Sequence, residues 1–276
     1  MKISLAHSPD SDDAFMFYGL AKGKVATGDL EVSHVLTDIE TLNREAMQGK
    51  HEVTAISFHA YPSVADKYAL MPCGGSIGDG YGPLLVAREP MSPGAIESRT
   101  VAVPGTLTSA YLALKLFAPK VETRVVAFDR ILDEVRDGRA DLGLIIHEGQ
   151  LTFGGHGLRK VLDLGLWWQQ ETGLPLPLGG NAVRRDLGPE RMARLTRLVR
   201  ETVRYSLAHR KEALEYAMSF ARGMDPKIAD RFVGMWVNDM TIEIGERGRR
   251  AVQLFLDRGH AAGVIGNRVV VDFVEA

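Results

Sequence analysis

The sequence predicts an α/β fold in two lobes, on three observations. Short apolar runs alternate with helix-patterned segments, as they do where helices cover a largely parallel sheet. The β-α-β-α-β rhythm occurs twice along the 276 residues. Two stretches dense in glycine and proline, "GGSIGDGYGPLLVAREPMS" and "ETGLPLPLGGNAVRRDLGPE", punctuate it.

The first series begins with "MKISLAHS", a buried strand, followed by "DSDDAFMFYGLAKGKV", a helix whose acidic opening suits the positive end of its dipole. "LEVSHVLT" is the second strand, "DIETLNREAMQGK" the second helix and "HEVTAISFHAY" the third strand. After the first glycine-rich stretch, "TVAVPG" (strand), "TLTSAYLALKLFA" (helix), "ETRVVAF" (strand), "DRILDEVRDGRA" (helix) and "DLGLII" (strand) repeat the pattern. The second Pro-rich stretch reads as a break. Beyond it "PERMARLTRLVRETVRYSLAHRKEALEYAMSFARG" is a long amphipathic helical segment, with Leu195, Leu198, Val199 and Thr202 at helical spacing. "VNDMTIEIGERGRRAVQLFLDRGHAAG" is a further helix returning to the first lobe.

These breaks predict a larger lobe of residues 1–96 plus 200–276 and a smaller lobe of residues 97–199. Two α/β lobes joined by two crossings enclose a cleft that hinges on a ligand, the architecture of type II periplasmic-binding-protein-like folds.

Composition narrows the partners. A formal net charge of -2 and a pI near 6.5 supply no general positive field for nucleic acid or an anionic membrane, which points to a small-molecule ligand. The lone Cys73 excludes an intrachain disulfide and any site of several thiolates. No segment approaches the ~20 apolar residues that span a bilayer, and "MKISLAHSPDSDDAF" lacks a secretory apolar region, so the expected setting is cytoplasmic. The sequence leaves the oligomeric state open.

In open α/β sheets ligands collect beyond the carboxyl ends of strands. Four stretches hold that position: "HSPDSDD", "SFHAY", "PGTLTSAY" and "HEGQ". In the third, Pro104 and Gly105 turn the chain, and Thr106, Thr108 and Ser109 put hydroxyls and free N–H groups at a helix start. That pattern fits a ligand carboxylate and equally an ordinary N-cap. Asn43 either faces the cleft from its helix or lies on solvated helix surface. Ser57, where the third strand leaves its sheet, is either a ligand contact or a satisfier of local backbone. Asp10, Asp12 and Asp13 cluster, but counted from Asp10 the glycine and glutamate of a calcium loop are replaced by Phe15 and Ala21, and the helix dipole accounts for the acidity. The glycine run precedes a strand and contains no phosphate-binding motif. His147 can transfer protons near neutral pH, with Glu148 to orient it, or can serve as a structural residue after an apolar run. "HEGQ" lacks the second histidine of a zinc-protease motif, and no metal site is expected.

In order along the chain, "SPDSDDAFMFYGL", "DIETLNREAMQGK", "TAISFHAY", "GPLLVAR", "TVAVPGTLTSAYLAL", "ADLGLIIHEGQLTF", "DLGLWWQQETGLPLPLG" and "RRDLG" together resemble the 1,4-dihydroxy-6-naphthoate synthase family of the futalosine route to menaquinone. The resemblance covers most of the chain and is weakest after about Arg222. It implies an enzyme that converts cyclic dehypoxanthine futalosine to 1,4-dihydroxy-6-naphthoate with release of dihydroxyacetone, and it implies no metal or redox cofactor. It puts the catalytic general base on His147 and the substrate-binding positions on Asn43, Ser57, Thr108 and Ser109. Where family members often carry Cys-Pro-Asn-Asp-Thr, this chain has "DSDDA". The competing readings are chorismate dehydratase, a sister enzyme without the "IIHEGQ" ending, and a non-catalytic solute-binding protein for a small carboxylate.

Overall fold

The structure, a computed structural model, describes residues 1–221 and 225–276. The chain opens with β1 (Lys2–His7), α1 (Ser11–Met16), α2 (Tyr18–Ala21), β2 (Glu31–Leu36), α3 (Ile39–Met47), β3 (Val53–Ser57), β4 (Tyr68–Leu70) and β5 (Ser76–Gly78). It continues through β6 (Leu84–Ala87), β7 (Thr100–Val103), α4 (Ser109–Phe117), β8 (Glu122–Val125), α5 (Ile131–Arg136), β9 (Leu142–Ile145), α6 (Gly149–Thr152) and β10 (Arg159–Asp163). Helix α7 (Leu164–Thr172) leads to β11 (Leu176–Arg184), and α8 (Pro189–Ala208), α9 (Arg210–Met218), α10 (Pro226–Trp236), α11 (Asp239–Ile242) and α12 (Gly245–Ala261) follow.

Two sheets result. The larger has the order β2-β1-β3-β11-β4 with β5 also paired to β11, and the smaller the order β10-β6-β9-β7-β8. In the larger, β1 lies parallel to β2 and β3, while β11 is antiparallel to β3, β4 and β5. In the smaller, β7 is parallel to β8 and β9, while β6 is antiparallel to β9 and β10. Each sheet therefore has a parallel centre built from its own β-α series and is completed by a strand laid down as the chain crosses over. This is the α/β architecture of the type II periplasmic-binding-protein-like fold.

The central parallel strands β3, β7 and β9 are largely apolar because both of their faces are covered, whereas the edge strands β2 and β8 are partly exposed and polar. Leu142–Ile145 is buried along its whole length, and Val53, Thr54, Ile56 and Ser57 of β3 are buried. One core packs Ile56, Phe58 and Leu70 with Leu85, Val101, Leu112 and Trp168, and so runs from one lobe into the other. A second packs α1, α8, α9 and α10 on the larger sheet through Phe15, Val199, Ala213 and Val233, and a third packs Ile131 and Val135 of α5 on the smaller. Trp168 anchors the return crossing: it is fully buried, donates its indole N–H to the Pro175 carbonyl at 3.1 Å and meets the Phe255 ring edge-on at 5.2 Å.

The lobe limits differ from those the sequence suggests. Strand β6 belongs to the smaller sheet, so the first crossing lies between Gly78 and Leu84, ahead of residue 97. Strand β11 belongs to the larger sheet, so the return precedes Leu176, well before residue 200. The stretch with the composition of a Pro-rich break thus contains a nine-residue strand. Its Pro177 and Gly179 flank a register irregularity against β5, where a strand accommodates such residues. At Gly180 an added Cβ would come within 3.1 Å of the Phe58 ring, so the absent side chain lets β11 pass over the core.

Smaller differences have local causes. The first helix divides at Phe17, and the long helix divides at His209, whose ring stacks on Tyr205 at 3.9 Å. Arg222 and Gly223, the end of that expected segment, lie outside the described residues. The third strand stops at Ser57, and Phe58–Ser63 form a 3-10 turn. Among the described residues no helix is long and apolar enough to cross a membrane.

Candidate active site

The carboxyl ends of β1, β3 and β9 and the amino end of α4 converge on one cavity of about 130 Å³ between the sheets. Its wall includes Ser8, Asp12, Asp13, Ser57, Thr108 and Ser109, with Ile146 from the smaller lobe and Asn181 and Trp236 from the larger. Three of the five expected site residues, Ser57, Thr108 and Ser109, therefore share one surface.

Thr108 caps α4: its Oγ1 accepts the Tyr111 N–H at 3.2 Å and donates to the Gly105 carbonyl at 3.0 Å. The Ser109 hydroxyl accepts the His59 N–H at 3.1 Å, and the His59 ring bonds the Thr108 carbonyl, also at 3.1 Å. Burial holds His59 below the ordinary imidazole range, so it supports the turn as a neutral ring. The preceding loop is wrapped around Glu40, whose carboxylate accepts the Leu107 N–H at 3.0 Å. Helix geometry leaves the first-turn N–H groups of Ser109 and Ala110 without intrahelical acceptors, beside the positive end of the dipole. This corner can hold an anion.

Asn43 is fully buried and lies behind the wall, not on it. Its Oδ1 accepts the Ser57 N–H at 2.8 Å, and its Nδ2 donates to the Ser57 hydroxyl at 3.0 Å and the Leu107 carbonyl at 3.5 Å. It ties β3 to the α4 loop, so a direct ligand contact gives way to a positioning role. Its amide is consumed by the protein.

His147 sits beside the cavity, next in sequence to the lining Ile146, and is only 7% exposed. Its Nδ1 accepts the Gly149 N–H at 3.0 Å and its Nε2 faces the Phe128 carbonyl at 3.1 Å, an arrangement that selects the neutral Nε2–H tautomer. The Glu148 carboxylate lies 3.8 Å from Nδ1. The two side chains are therefore neighbours, although strand alternation alone would separate them.

The acidic loop after β1 is folded on itself. Asp13 accepts the Ser8 N–H at 2.8 Å and Asp10 accepts the Ser8 hydroxyl at 3.1 Å. Burial lifts the Asp13 carboxyl to about 6 and pushes Asp12 upward too, with Asp13, Asp10 and, across the cleft, Glu148 adding repulsion. Among the described residues no group of three or more His, Cys, Asp or Glu is arranged to hold a metal ion.

Sequence reading missed Asn181 and Trp236. Asn181 lies in the stretch taken for a break, and Trp236 lies at the end of a helix whose approach to the cleft is tertiary. The paired glycines of "LGGNA" were the available signal, because glycine within a strand marks close approach of backbone or ligand.

Fold and site define a two-lobed α/β protein with a cavity between its lobes. Residues 3–261 match the family described as menaquinone biosynthesis, and the chain belongs to that family. It is 42% identical over 262 residues to the 1,4-dihydroxy-6-naphtoate synthase of Thermus thermophilus, with 95% of each chain covered. It is 38% identical over 269 residues to the protein of the same name from Streptomyces coelicolor, covering 95% of this chain and 94% of the other. A crystal structure of an Archaeoglobus fulgidus protein superposes with a TM-score of 0.92 at 47% identity, over 96% of this chain and 98% of that one. The alkanesulfonate-binding protein of Xanthomonas axonopodis shares the fold, with a TM-score of 0.72 at 10% identity over 98% and 96% of the two chains.

Proposed function

We propose that the protein converts cyclic dehypoxanthine futalosine to 1,4-dihydroxy-6-naphthoate with release of dihydroxyacetone, as a carbon-carbon lyase with His147 as general base. The observation that carries the reading is the convergence of Ser57, Thr108 and Ser109 with the start of α4 on a single cavity, in a chain whose relatives are named for this synthesis.

The substrate's aromatic carboxylate docks at the start of α4. There the Ser109 and Ala110 N–H groups and nearby hydroxyls donate to it without a mobile counter-charge. Asn43 keeps the Ser57 hydroxyl in register with that corner. The basic site of His147 is Nδ1, now accepting from Gly149; a substrate proton displaces that N–H, and the resulting imidazolium keeps Phe128 as acceptor and gains Glu148 as counter-charge. Closure of the lobes around bound substrate carries the reacting carbon to the ring and excludes water. Aromatisation of the naphthalene then drives the carbon-carbon cleavage. The cytoplasm is the proposed setting, and cell fractionation tests it.

The experiment is incubation of purified wild type and His147→Ala with cyclic dehypoxanthine futalosine, with product followed by mass-resolved chromatography. Product from the wild type and a loss of 100-fold or more in the variant, on the order of what a general base supplies, support both parts. Turnover surviving the substitution removes His147 from the chemistry. Binding without turnover by the wild type points to a solute-binding role.

A further inference from the structure

Trp236 and Asn181 line the cavity from the larger lobe, and neither belongs to the anion corner. Trp236 closes α10, is 3% exposed and is held by two edge-on rings, Tyr81 at 5.3 Å and Phe232 at 6.4 Å. Asn181 projects from β11 and is 2% exposed. Its Nδ2 donates to the Gly74 carbonyl at 2.8 Å, which fixes the amide orientation and leaves Oδ1 as the spare atom. Gly74 is required for that contact: its φ is +72°, and a Cβ there would stand 2.3 Å from Nδ2.

Among the described residues, the Trp236 indole N–H and the Asn181 Oδ1 are both buried without a hydrogen-bond partner. Folded proteins pair nearly all such groups, so a donor and an acceptor left over in the walls of one cavity mark a place completed by something else. Both residues are neutral. An indole N–H only donates and an amide oxygen only accepts, and a hydroxyl group can meet either need. A second carboxylate is disfavoured, because the Asn181 oxygen only accepts and neither residue carries a positive charge.

We infer that Trp236 and Asn181 form a subsite for the hydroxyl groups of a neutral, polyhydroxylated portion of the ligand, separate from the carboxylate corner at Thr108 and Ser109. For the identity of the ligand this rests on the proposed function: the aromatic acid is held at α4 and the sugar-derived portion at β11 and α10. The subsite then orients the fragment that departs.

The test uses 15N-labelled protein, whose Trp167, Trp168 and Trp236 give three indole N–H signals, with Trp236→Phe identifying the third. Saturating cyclic dehypoxanthine futalosine is expected to shift the Trp236 signal and leave that of Trp168, already bonded to Pro175, in place. Adding 2-naphthoate, which has the carboxylate and no sugar-derived hydroxyls, is expected to leave the Trp236 signal unmoved and to bind wild type and variant alike. Trp236→Phe keeps an aromatic ring and lowers kcat/KM by roughly tenfold, the loss of one hydrogen bond. An unmoved indole under saturating substrate, or a variant within twofold of wild type, overturns the subsite. A shift without product keeps the subsite and removes the proposed reaction instead.

Discussion

Asn43 holds Ser57 at both ends of its amide, accepting the Ser57 N–H at 2.8 Å and donating to the Ser57 hydroxyl at 3.0 Å, with all of these groups buried. Truncation leaves a buried N–H and the Leu107 carbonyl short of partners, each costing about 1–3 kcal/mol. Asn43→Ala is therefore expected to lower unfolding free energy by about 2 kcal/mol or more in urea titration. It should also lower turnover beyond the fraction unfolded. Asn43→Asp keeps the acceptor for the Ser57 N–H and loses the donor to its hydroxyl.

Gly105 leaves no space for a methyl group, since a Cβ there would lie 2.2 Å from Glu40 Oε2. Gly105→Ala must displace the carboxylate that holds the Leu107 N–H, and the loop before α4 moves with it. The expected result is weaker binding of an aromatic carboxylate such as 2-naphthoate, measured by calorimetry. Unchanged affinity would show that the corner tolerates displacement of Glu40.

Thr108→Ala removes the cap of α4, at a cost of about 1 kcal/mol in stability, and Thr108→Ser restores most of it because the hydroxyl still reaches Tyr111. Chemical denaturation of the three proteins checks the order. Because the cap sits on the cavity wall, the alanine variant should also bind carboxylate more weakly.

Two buried groups give opposite pH dependences. Desolvation, followed by His34, lowers His7 from 6.5 to about 3, so its contribution is present above pH 6.5 and fades as pH falls toward 3. Asp13 is raised from 3.8 to about 6, so its contribution is full below pH 3.8 and is lost as pH rises through 6. Between pH 3.8 and 6 the two slopes therefore oppose each other, and the raised Asp12 carboxyl acts in the same sense as Asp13. In thermal melts His7→Leu should remove the part of the stability that is lost on acidification from pH 6.5, whereas Asp13→Asn should remove the part that opposes this loss and so make acidification more damaging.

The β-α rhythm was legible in strands such as "TVAV" and "LGLI" because burial on two faces demands nearly uninterrupted apolar residues, a local signature. Thr108 and Ser109 were legible for a similar reason, since caps and anion corners are written in adjacent residues. Strand β11 was not legible: Pro177, Gly179 and Gly180 carry the local chemistry of a turn, and the partners that make them a strand lie on β3, β4 and β5. Asn43 was placed on the right helix but on the wrong side of the cavity wall, because helical spacing cannot tell that Ser57 will occupy its amide.

The fold class, the two β-α series, the capped corner at α4 and the family resemblance were all legible in the sequence, because each resides in short runs of neighbouring residues. Only the tertiary structure decided where the chain crosses between lobes, that Asn43 supports and does not line the site, and that Asn181 and Trp236 meet Ser57 and Thr108 around one cavity. Those outcomes depend on pairing between residues far apart in the chain, which local pattern does not encode.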